Sequence, residues 1–428
     1  TQASSSAASD VYKRQNTSGD LTGDGSPDLT VGAYGAGVSD MGVVYVVAGP
    51  LTSGTSLSAG TSAAADLTGS SSTHYMGVTL DVGDIDGDGY DDLVTGAHGA
   101  ESGSINNTGG VFVFYGPLSG SISATDADLS FWGEDLSDQY GRRVATAYDY
   151  DSDGAAEVIA GSYYAHISAG RSLGVIGIHS NGADGDTYSD AETTFIGGSS
   201  KGQVGYSFDG PGDLDGDGLN DLLIGAHGAN EAYVLYGHTT GVLTPADADV
   251  PVRGILGSDT GTLMGSGDFN SDGTADVLLG ASEDSSSGAG HVYAFYGMLS
   301  SSNYNAATDH SAVITGDGVG DRAARHDPAS DVGDIDRDGS DDLLLGSSFN
   351  STVRTSGGAA LLFYGPISGS HSSSDADLFI AGYALDDLGT AVSLGDLSGD
   401  GLLDITTASS RHDTNTGQTY TFFSGSGF

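Results

Sequence analysis

The sequence predicts an all-β fold, a seven-bladed β-propeller with four-stranded blades. Three observations lead to this prediction. A nine-residue acidic pattern begins at residues 20, 84, 149, 213, 268, 334 and 396, so the copies are evenly spaced. Short β-branched and aromatic segments follow each copy, as expected for strands. With 71 Gly and a hydrophobic fraction of 37%, the chain suits neither long helices nor disorder. Regular repeats of this length are typical of propeller blades.

Each repeat contains four strand-like segments, illustrated by the second repeat. An inner segment, Met76–Gly83, leads into the acidic loop, and a second segment, Asp92–Gly99, follows it. A third segment at Gly109–Gly116 precedes a Gly/Ser/Pro turn, and Asp126–Gly133 contains the fourth. Four short strands that recur seven times predict the blades.

The first fifteen residues differ from the rest of the chain. Asp10–Gln15 read DVYKRQ and resemble a translated library-preparation sequence. We expect residues 1–15 to be a non-native or disordered segment and residues 16–428 to form the propeller. The seventh repeat then stops at its third strand, Thr419–Phe423, and the first lacks an inner strand. We therefore expect the first and seventh blades to be incomplete, with the seam between them poorly packed.

The composition excludes several classes of partner and site. Twelve Lys and Arg stand against 58 Asp and Glu, a net charge of −46, which disfavours nucleic acid and anionic membranes. The chain has no Cys, which excludes disulfides, thiolate catalysis and Cys-ligated zinc. No apolar run is long enough to predict a membrane-spanning segment.

The acidic pattern predicts calcium binding. Positions 1, 3, 5 and 9 carry side-chain oxygens, position 7 can add a backbone carbonyl, and position 6 is always Gly. An EF-hand would need a Glu at position 12 and flanking helices, whereas these loops lead into a strand. The candidate ligands, loop by loop, are Asp20, Thr22, Asp24 and Asp28; Asp84, Asp86, Asp88, Tyr90 and Asp92; Asp149, Asp151, Asp153 and Glu157; Asp213, Asp215, Asp217, Leu219 and Asp221; Asp268, Asn270, Asp272 and Asp276; Asp334, Asp336, Asp338, Ser340 and Asp342; Asp396, Ser398, Asp400 and Asp404.

Charge repulsion supports a bound cation over simple solvated turns. A like-charged pair about 4 Å apart costs roughly 4 kcal/mol at an effective dielectric of about 20. Turn propensity alone could explain one Asp-rich loop, but not seven with the same positions filled. Thr22, Asn270 and Ser398 at position 3, and Glu157 at position 9, predict weaker calcium binding in their loops.

These repeats resemble FG-GAP repeats, the modules of the integrin alpha-subunit propeller and of bacterial surface and secreted proteins. The resemblance rests on YGRRVA (Tyr140–Ala145), GDIDGDGYDDLVTGA (Gly83–Ala97) and VFVFYG (Val111–Gly116). Phe-Gly is replaced by Tyr-Gly, Met-Gly, Val-Gly or Leu-Gly. The resemblance implies a seven-bladed propeller with calcium in the hairpins of one face and ligand binding on the other.

No catalytic residue is predicted. The G-x-S-x-G match at 198–202 lies in a Gly-rich turn rather than a strand-to-helix elbow. His98 and His227 share a slot with Tyr34 and Tyr163, and we interpret this slot as a repeated packing position. Trp132 is interpreted as part of an outer strand.

The sequence thus favours an extracellular or cell-surface, calcium-binding propeller that mediates adhesion or binds a protein or glycan ligand, and not an enzyme. A polysaccharide-lyase-like enzyme and a lectin remain alternatives. An enzyme would need a cleft that gathers cations or His near acids, and a lectin should repeat a binding cluster between blades.

Overall fold

In this computed structural model, seven small antiparallel sheets form a ring. The structure describes residues 2–3, 12–16, 19–54, 56–57, 59–147, 149–167, 173–180, 183–199, 202–237, 239–283, 288–300, 303–318, 321–323, 330–351, 357–411 and 417–424. First strands of consecutive sheets contact one another, and the last contacts the first. The predicted all-β, seven-bladed propeller is therefore confirmed.

Each blade has four antiparallel strands, of which the first is the innermost and the fourth the outermost. Blade 1 contains β2 (Tyr12–Asn16), β3 (Leu29–Ala33), β4 (Val43–Val47) and β6 (Ala65–Thr68). Blade 2 contains β7 (Thr79–Gly83), β8 (Asp92–Ala97), β9 (Gly110–Phe114) and β11 (Leu129–Trp132). Blade 3 contains β12 (Arg143–Ala147), β13 (Glu157–Ser162), β14 (Val175–His179) and β16 (Thr193–Ile196). Blade 4 contains β17 (Val204–Gly212), β18 (Asp221–Ala226), β19 (Glu231–Leu235) and β21 (Val250–Arg253).

The remaining blades repeat the same order. Blade 5 contains β22 (Thr260–Gly267), β23 (Asp276–Ala281), β24 (His291–Phe295) and β26 (Ala312–Thr315). Blade 6 contains β27 (Ser330–Gly333), β28 (Asp342–Ser347), β29 (Ala359–Phe363) and β31 (Leu378–Ala381). Blade 7 contains β32 (Leu388–Gly395), β33 (Asp404–Ser409), β34 (Gln418–Phe422) and β1 (Gln2–Ala3). The described helices are single turns: Ala59–Ser62, Ala306–Asp309, Ala124–Asp126, His227–Ala229 and Ser373–Asp375. None of them is long enough to cross a membrane.

The expectation of two incomplete blades is wrong. The backbone of β1 pairs antiparallel with β34, with Gln2 opposite Tyr420, and completes blade 7. The backbone of β2 pairs with β3 and forms the inner strand of blade 1. Strand pairing uses main-chain groups and hides two sheet edges, so it does not require an alternating apolar pattern. The non-native origin of residues 1–15 stays a prediction.

Six sheets carry a fifth strand that the sequence did not predict. This strand comes from the following repeat and pairs in parallel with the outer strand of the preceding blade. These cross-blade strands are β5 (Ser56–Leu57), β10 (Gly120–Ser123), β15 (Asp186–Thr187), β20 (Gly241–Leu243), β25 (Tyr304–Asn305) and β30 (Gly369–Ser372). They lie in or after the segments interpreted as Gly/Ser/Pro turns, and they cover the outer edges of blades 7 and 1 to 5.

The hydrophobic core is divided among the spaces between neighbouring blades. In β9, Phe112 and Phe114 pack toward blade 1, whereas Val111 and Val113 pack toward blade 3. Because both faces of a blade are covered, the second strand of every blade is buried at every position rather than at alternate ones. The packing of Leu397 and Phe423 against blade 1 residues gives the closing seam an apolar cluster as well.

Two repeated glycines let neighbouring blades approach closely. A Cβ on Gly96 in β8 would lie 1.9 Å from the carbonyl oxygen of Gly141, just before the inner strand of blade 3. The same relation joins Gly32 to Gly77 and Gly225 to Gly261. Gly141 also has φ +78°, a conformation that other residues rarely adopt.

We expect Gly96→Ala to destabilise the protein by about 3 kcal/mol, because the added methyl group meets rigid backbone and must push two blades apart. The measurement is the melting temperature at a fixed scan rate. Gly265→Ala is the matched control, since this strand glycine has ordinary φ and a Cβ added to it would meet nothing closer than 3.7 Å. Equal melting temperatures for the two variants would contradict the close-approach argument.

Candidate metal loops and the opposite face

The seven acidic loops lie on one face of the ring. Each joins the first and second strands of its blade, as Asp84–Asp92 joins β7 to β8. The loops between second and third strands, and the connections from each outer strand to the next blade, emerge on the other side. We call these two sides the acidic face and the opposite face. The predicted placement of the loops is confirmed.

All seven loops share one hydrogen-bond pattern. The carboxylate at position 1 accepts the backbone N–H of the position 6 glycine, at 2.7 Å in Asp20 and 3.0 Å in Asp84. The same bond occurs in the other five loops at 2.7–3.0 Å. Position 6 has φ between +82° and +100° in every copy, which explains why Gly stands there.

Five of the loops bring carboxylates together. Within each, one oxygen from each of at least three acidic side chains lies within 4.8 Å of the others. The groups are Asp20, Asp24 and Asp28; Asp84, Asp86 and Asp92; Asp149, Asp151, Asp153 and Glu157; Asp213, Asp215 and Asp221; Asp334, Asp336 and Asp342. Among the described residues, the loops beginning at Asp268 and Asp396 form no such group, and each has a neutral side chain at position 3.

Position 5 does not join the group in three loops. Asp88, Asp217 and Asp338 each accept the backbone N–H two residues later at 2.8 Å, a bond that is also present at position 5 of the other two converging loops. Asp24 and Asp153 do lie within their groups. The four-carboxylate set predicted from the pattern is therefore assembled only in the loop from Asp149 to Glu157, as far as the described side chains show.

Position 9 has a structural role that the pattern did not reveal. Asp92 is fully buried, and it accepts the N–H of Ile85 within its loop and that of Gly116 after the third strand. Burial raises the pKa of Asp92 and of Asp221 to about 6, and that of Glu157 to about 8. In six loops the position 9 aspartate joins the acidic loop to the end of the third strand in this way, whereas Glu157 accepts the N–H of Tyr150 within its own loop.

Two carboxylate oxygens at position 1 indicate that the loops suit a cation. Oδ1 of Asp84 and Oδ1 of Asp149 are buried without a hydrogen-bond partner among the described residues. Buried carboxylate oxygens normally have partners, and hard cations such as calcium bind such oxygens. The donor set is entirely oxygen, so the residues present fit a hard divalent cation.

A cavity of about 270 Å³ opens between the acidic loops of blades 2 and 3. Asp86, Asp153 and Glu157 line it together with His179 and Phe131. His179 is buried, which lowers its pKa to about 3, and its Nε2 lies 2.8 Å from the Tyr140 hydroxyl. No Lys or Arg of the described chain lines the cavity.

The inner strands carry three further carboxylates that sequence reasoning missed. Asp81, Asp209 and Asp331 belong to the first strands of blades 2, 4 and 6. Each bonds to the next inner strand: Asp81 accepts the N–H of Thr146 at 2.9 Å and Asp331 that of Leu394 at 2.7 Å, while Asp209 accepts the Ser266 hydroxyl at 3.3 Å. Burial raises the pKa of Asp331 to about 6, and the Asp81 charge adds to the increase.

We expect Asp331 to make stability depend on pH. Its pKa in the folded protein lies above the ordinary 3.8, so the folded state binds the proton more tightly than the unfolded state. Its contribution to stability should therefore fall as pH rises from about 4 to about 6. Asp331→Asn cannot titrate, so the stability of the wild type relative to the variant should be lower at pH 7.5 than at pH 4.5. Urea unfolding in chelator at both values measures this, with Asp66→Asn on an outer strand as control. If the difference in unfolding free energy between the wild type and Asp331→Asn were the same at pH 4.5 and pH 7.5, the prediction would be wrong.

The opposite face carries a row of partly exposed rings from blades 1 to 4. Tyr75 stacks on His98 with ring centroids 5.0 Å apart and lies 6.2 Å from Tyr34. Tyr206 lies 5.1 Å from Tyr163 and 4.0 Å from His227. In the shared slot, Tyr34 and Tyr163 contact a ring of the next blade, whereas His98 and His227 contact a ring of their own blade, which agrees with its interpretation as a packing position. Trp132 lies in an outer strand, as predicted.

Most of the exposed large apolar side chains lie on this same face. Of the eleven among the described residues, eight lie in its loops: Val38, Ile105, Leu136, Tyr164, Ile255, Leu256, Tyr383 and Leu385. Leu256 is 87% exposed and Val38 78%. The opposite face therefore carries more exposed large apolar side chains than the acidic face among the described residues.

The ring of four-stranded blades with acidic loops on one face defines a β-propeller with candidate metal loops. The FG-GAP repeat model matches residues 76–114 and 388–422, and the FG-GAP-like repeat model matches residues 213–279. The chain is a seven-bladed β-propeller that contains FG-GAP repeats and is similar to integrin alpha chains. Gly77 and Gly141, from the Met-Gly and Tyr-Gly pairs, are among the glycines at which neighbouring blades approach.

Three relatives illustrate the similarity. Integrin alpha-IIb of Homo sapiens is 30% identical over 173 residues, 39% of this chain and 16% of the relative. Integrin alpha-V of Gallus gallus is 26% identical over 249 residues, which are 55% of this chain and 22% of the relative. Phosphatidylinositol-glycan-specific phospholipase D of Mus musculus is 31% identical over 152 residues, 35% and 18%. The matched parts thus span less than a quarter of each of these relatives.

Proposed function

We propose that this chain is an extracellular, calcium-binding propeller that mediates adhesion by binding a protein or glycan ligand on its opposite face. The observation that carries the proposal is the difference in composition between the two faces. Carboxylates converge on one side, whereas exposed apolar side chains and rings concentrate on the other. The similarity to integrin alpha chains supports an adhesive role.

Calcium is the proposed occupant of the acidic loops. The converging carboxylates of each loop, with the carbonyls of Tyr90, Leu219 and Ser340 at position 7 of three loops, would supply the hard oxygen ligands that calcium takes. Extracellular modules bind calcium with dissociation constants of about 10⁻⁴–10⁻³ M. Such a range would agree with a location outside the cell, where a chain of net charge −46 also stays soluble.

The cavity on the acidic face does not favour the enzymatic alternative. An acidic polysaccharide needs cations to neutralise it, and this cavity is lined by carboxylates and by a histidine held neutral by burial. The phospholipase D similarity covers 35% of the chain and identifies no catalytic residue. We therefore propose a binding protein rather than an enzyme.

Isothermal titration with calcium and screening on glycan and peptide arrays test the function together. We expect several calcium ions to bind, and a ligand signal that disappears when Tyr164 and Leu136 on the opposite face are changed to Ser. Changing Tyr90 to Ser on the acidic face is the matched control and should leave the signal intact. Absence of both calcium binding and array binding would reject the proposal.

A further inference from the structure

Arg142 occupies an unusual position on the opposite face. Its Nε donates to the Tyr163 hydroxyl at 2.6 Å, and its Nη1 donates to Oε1 of Gln139 at 3.1 Å. The guanidinium carbon lies 5.2 Å from the ring centroid of Tyr163 and 5.5 Å from that of Tyr164. Two aromatic rings and two hydrogen bonds therefore fix the guanidinium plane.

No carboxylate lies within 4.0 Å of this guanidinium among the described residues. Three other arginines are paired with acids: Arg253 with Glu231 at 3.4 Å, Arg322 with Glu283 at 2.7 Å and Arg411 with Asp387 at 3.1 Å. Arg143 and Arg337 instead donate to the backbone carbonyls of Phe208 and Gly401. Nη2 of Arg142 donates no described hydrogen bond, so the guanidinium can still donate to a ligand.

Exposed aliphatic side chains belong to the same loops. Leu136, 63% exposed, precedes Arg142 in the connection between blades 2 and 3. This connection bonds to the neighbouring loop through Ser137 N–H and Asn106 O, next to Ile105, which is 41% exposed. The connection that carries Arg142 and the loop bonded to it thus also carry exposed aliphatic side chains.

We propose that Arg142 binds a carboxylate side chain of a protein partner, and that apolar residues beside that carboxylate pack on Leu136, Ile105 and Tyr164. This inference rests on the proposed function and names the chemistry of its ligand. A planar guanidinium binds a carboxylate through two parallel hydrogen bonds. Aliphatic surface suits Leu, Ile or Phe of a peptide, whereas sugars stack on rings alone.

The acidity of the whole chain does not prevent this contact. Charges more than about 8 Å apart are largely screened at physiological ionic strength. The acidic loops lie on the other face of the ring, and the carboxylate would meet the guanidinium directly. The electrostatic interaction of the partner's carboxylate is therefore mainly with the Arg142 guanidinium.

Selection from a displayed random peptide library on the immobilised, calcium-loaded protein tests the proposal. We expect selected peptides to be enriched in Asp or Glu flanked by Leu, Ile or Phe. Affinity of a selected peptide should fall at least about tenfold in Arg142→Gln. Arg142→Lys keeps the positive charge but lacks the planar guanidinium. Its affinity for the peptide should therefore lie between those of Arg142→Gln and the wild type. Arg253→Gln, which removes an arginine already paired with Glu231, is the control and should bind normally.

The outcomes separate this inference from the proposed function. Selected peptides without acidic enrichment, or equal affinity in Arg142→Gln with an unchanged melting temperature, would overturn the role of Arg142 and leave a ligand-binding face. Should Arg142→Gln not fold, Tyr164→Ser and Leu136→Ser test the same surface, and normal binding by both would overturn it. Binding of acidic glycans in place of peptides would reject the protein partner. No binding of either class would overturn the proposed function as well.

Discussion

Saturating calcium is expected to raise the melting temperature strongly, and a chelator to reverse the increase. A ligand that binds only the folded state adds about 2.7 kcal/mol per site when its free concentration is 100 times its dissociation constant. Five loops with converging carboxylates would together add on the order of 10 kcal/mol. Calorimetry over a range of calcium concentrations measures the effect.

Magnesium provides the control for this prediction. It demands a small octahedral site and gives up its water reluctantly, so the same concentration should stabilise far less. A second control is Asp86→Ala, which removes one member of a converging group and should reduce the calcium-dependent part of the increase. A melting temperature that does not respond to calcium would reject the calcium proposal for all loops.

Removing a position 9 carboxylate is expected to damage the fold even without calcium. Oδ2 of Asp221 accepts the N–H of Leu214 at 2.6 Å and Oδ1 accepts the N–H of Gly237 at 2.7 Å. Hydrogen bonds to a charged group contribute about 1.5–3 kcal/mol each, so Asp221→Ala should cost about 3–6 kcal/mol. Chemical unfolding in the presence of chelator gives the value.

Two further variants test whether the lost hydrogen bonds cause the decrease in stability of Asp221→Ala. Asp221→Asn retains a single carbonyl oxygen, so its stability should lie between those of the wild type and Asp221→Ala. Asp217→Ala removes an exposed side chain of the same loop, outside the converging group, and should cost little. If Asp217→Ala and Asp221→Ala were equally unstable, the fastening role of position 9 would be wrong.

The blade architecture was predictable because it repeats. Seven copies of the loop pattern and the following apolar segments indicated the strand order, the placement of all acidic loops on one face and the glycine at position 6. The cross-blade strands were not predictable, because Gly120–Ser123 is short, polar and lacks an alternating pattern. Its partner, Ala65–Thr68, lies more than fifty residues away, and local sequence does not encode that pairing.

The site was predictable only in part, for a related reason. The acidic pattern identified Asp92, but the pattern does not distinguish a buried side chain that holds two strands from an exposed one such as Asp88. Asp331 and Arg142 were missed because neither recurs at the same place in every repeat. The role of Asp331 depends on Leu394 and Asp81 from other blades, and that of Arg142 on the rings of Tyr163 and Tyr164, which lie on a different loop.

Because of the cross-blade strands, a five-stranded sheet contains residues from two successive sequence repeats. During synthesis, the outer edge of each of the first five blades stays open until the following repeat has been made. The N-terminal strand β1 pairs with β34, so it must wait for almost the whole chain before it finds its partner. Ring closure therefore follows the synthesis of all seven blades. Excising one sequence repeat would leave a neighbouring blade without the strand that covers it.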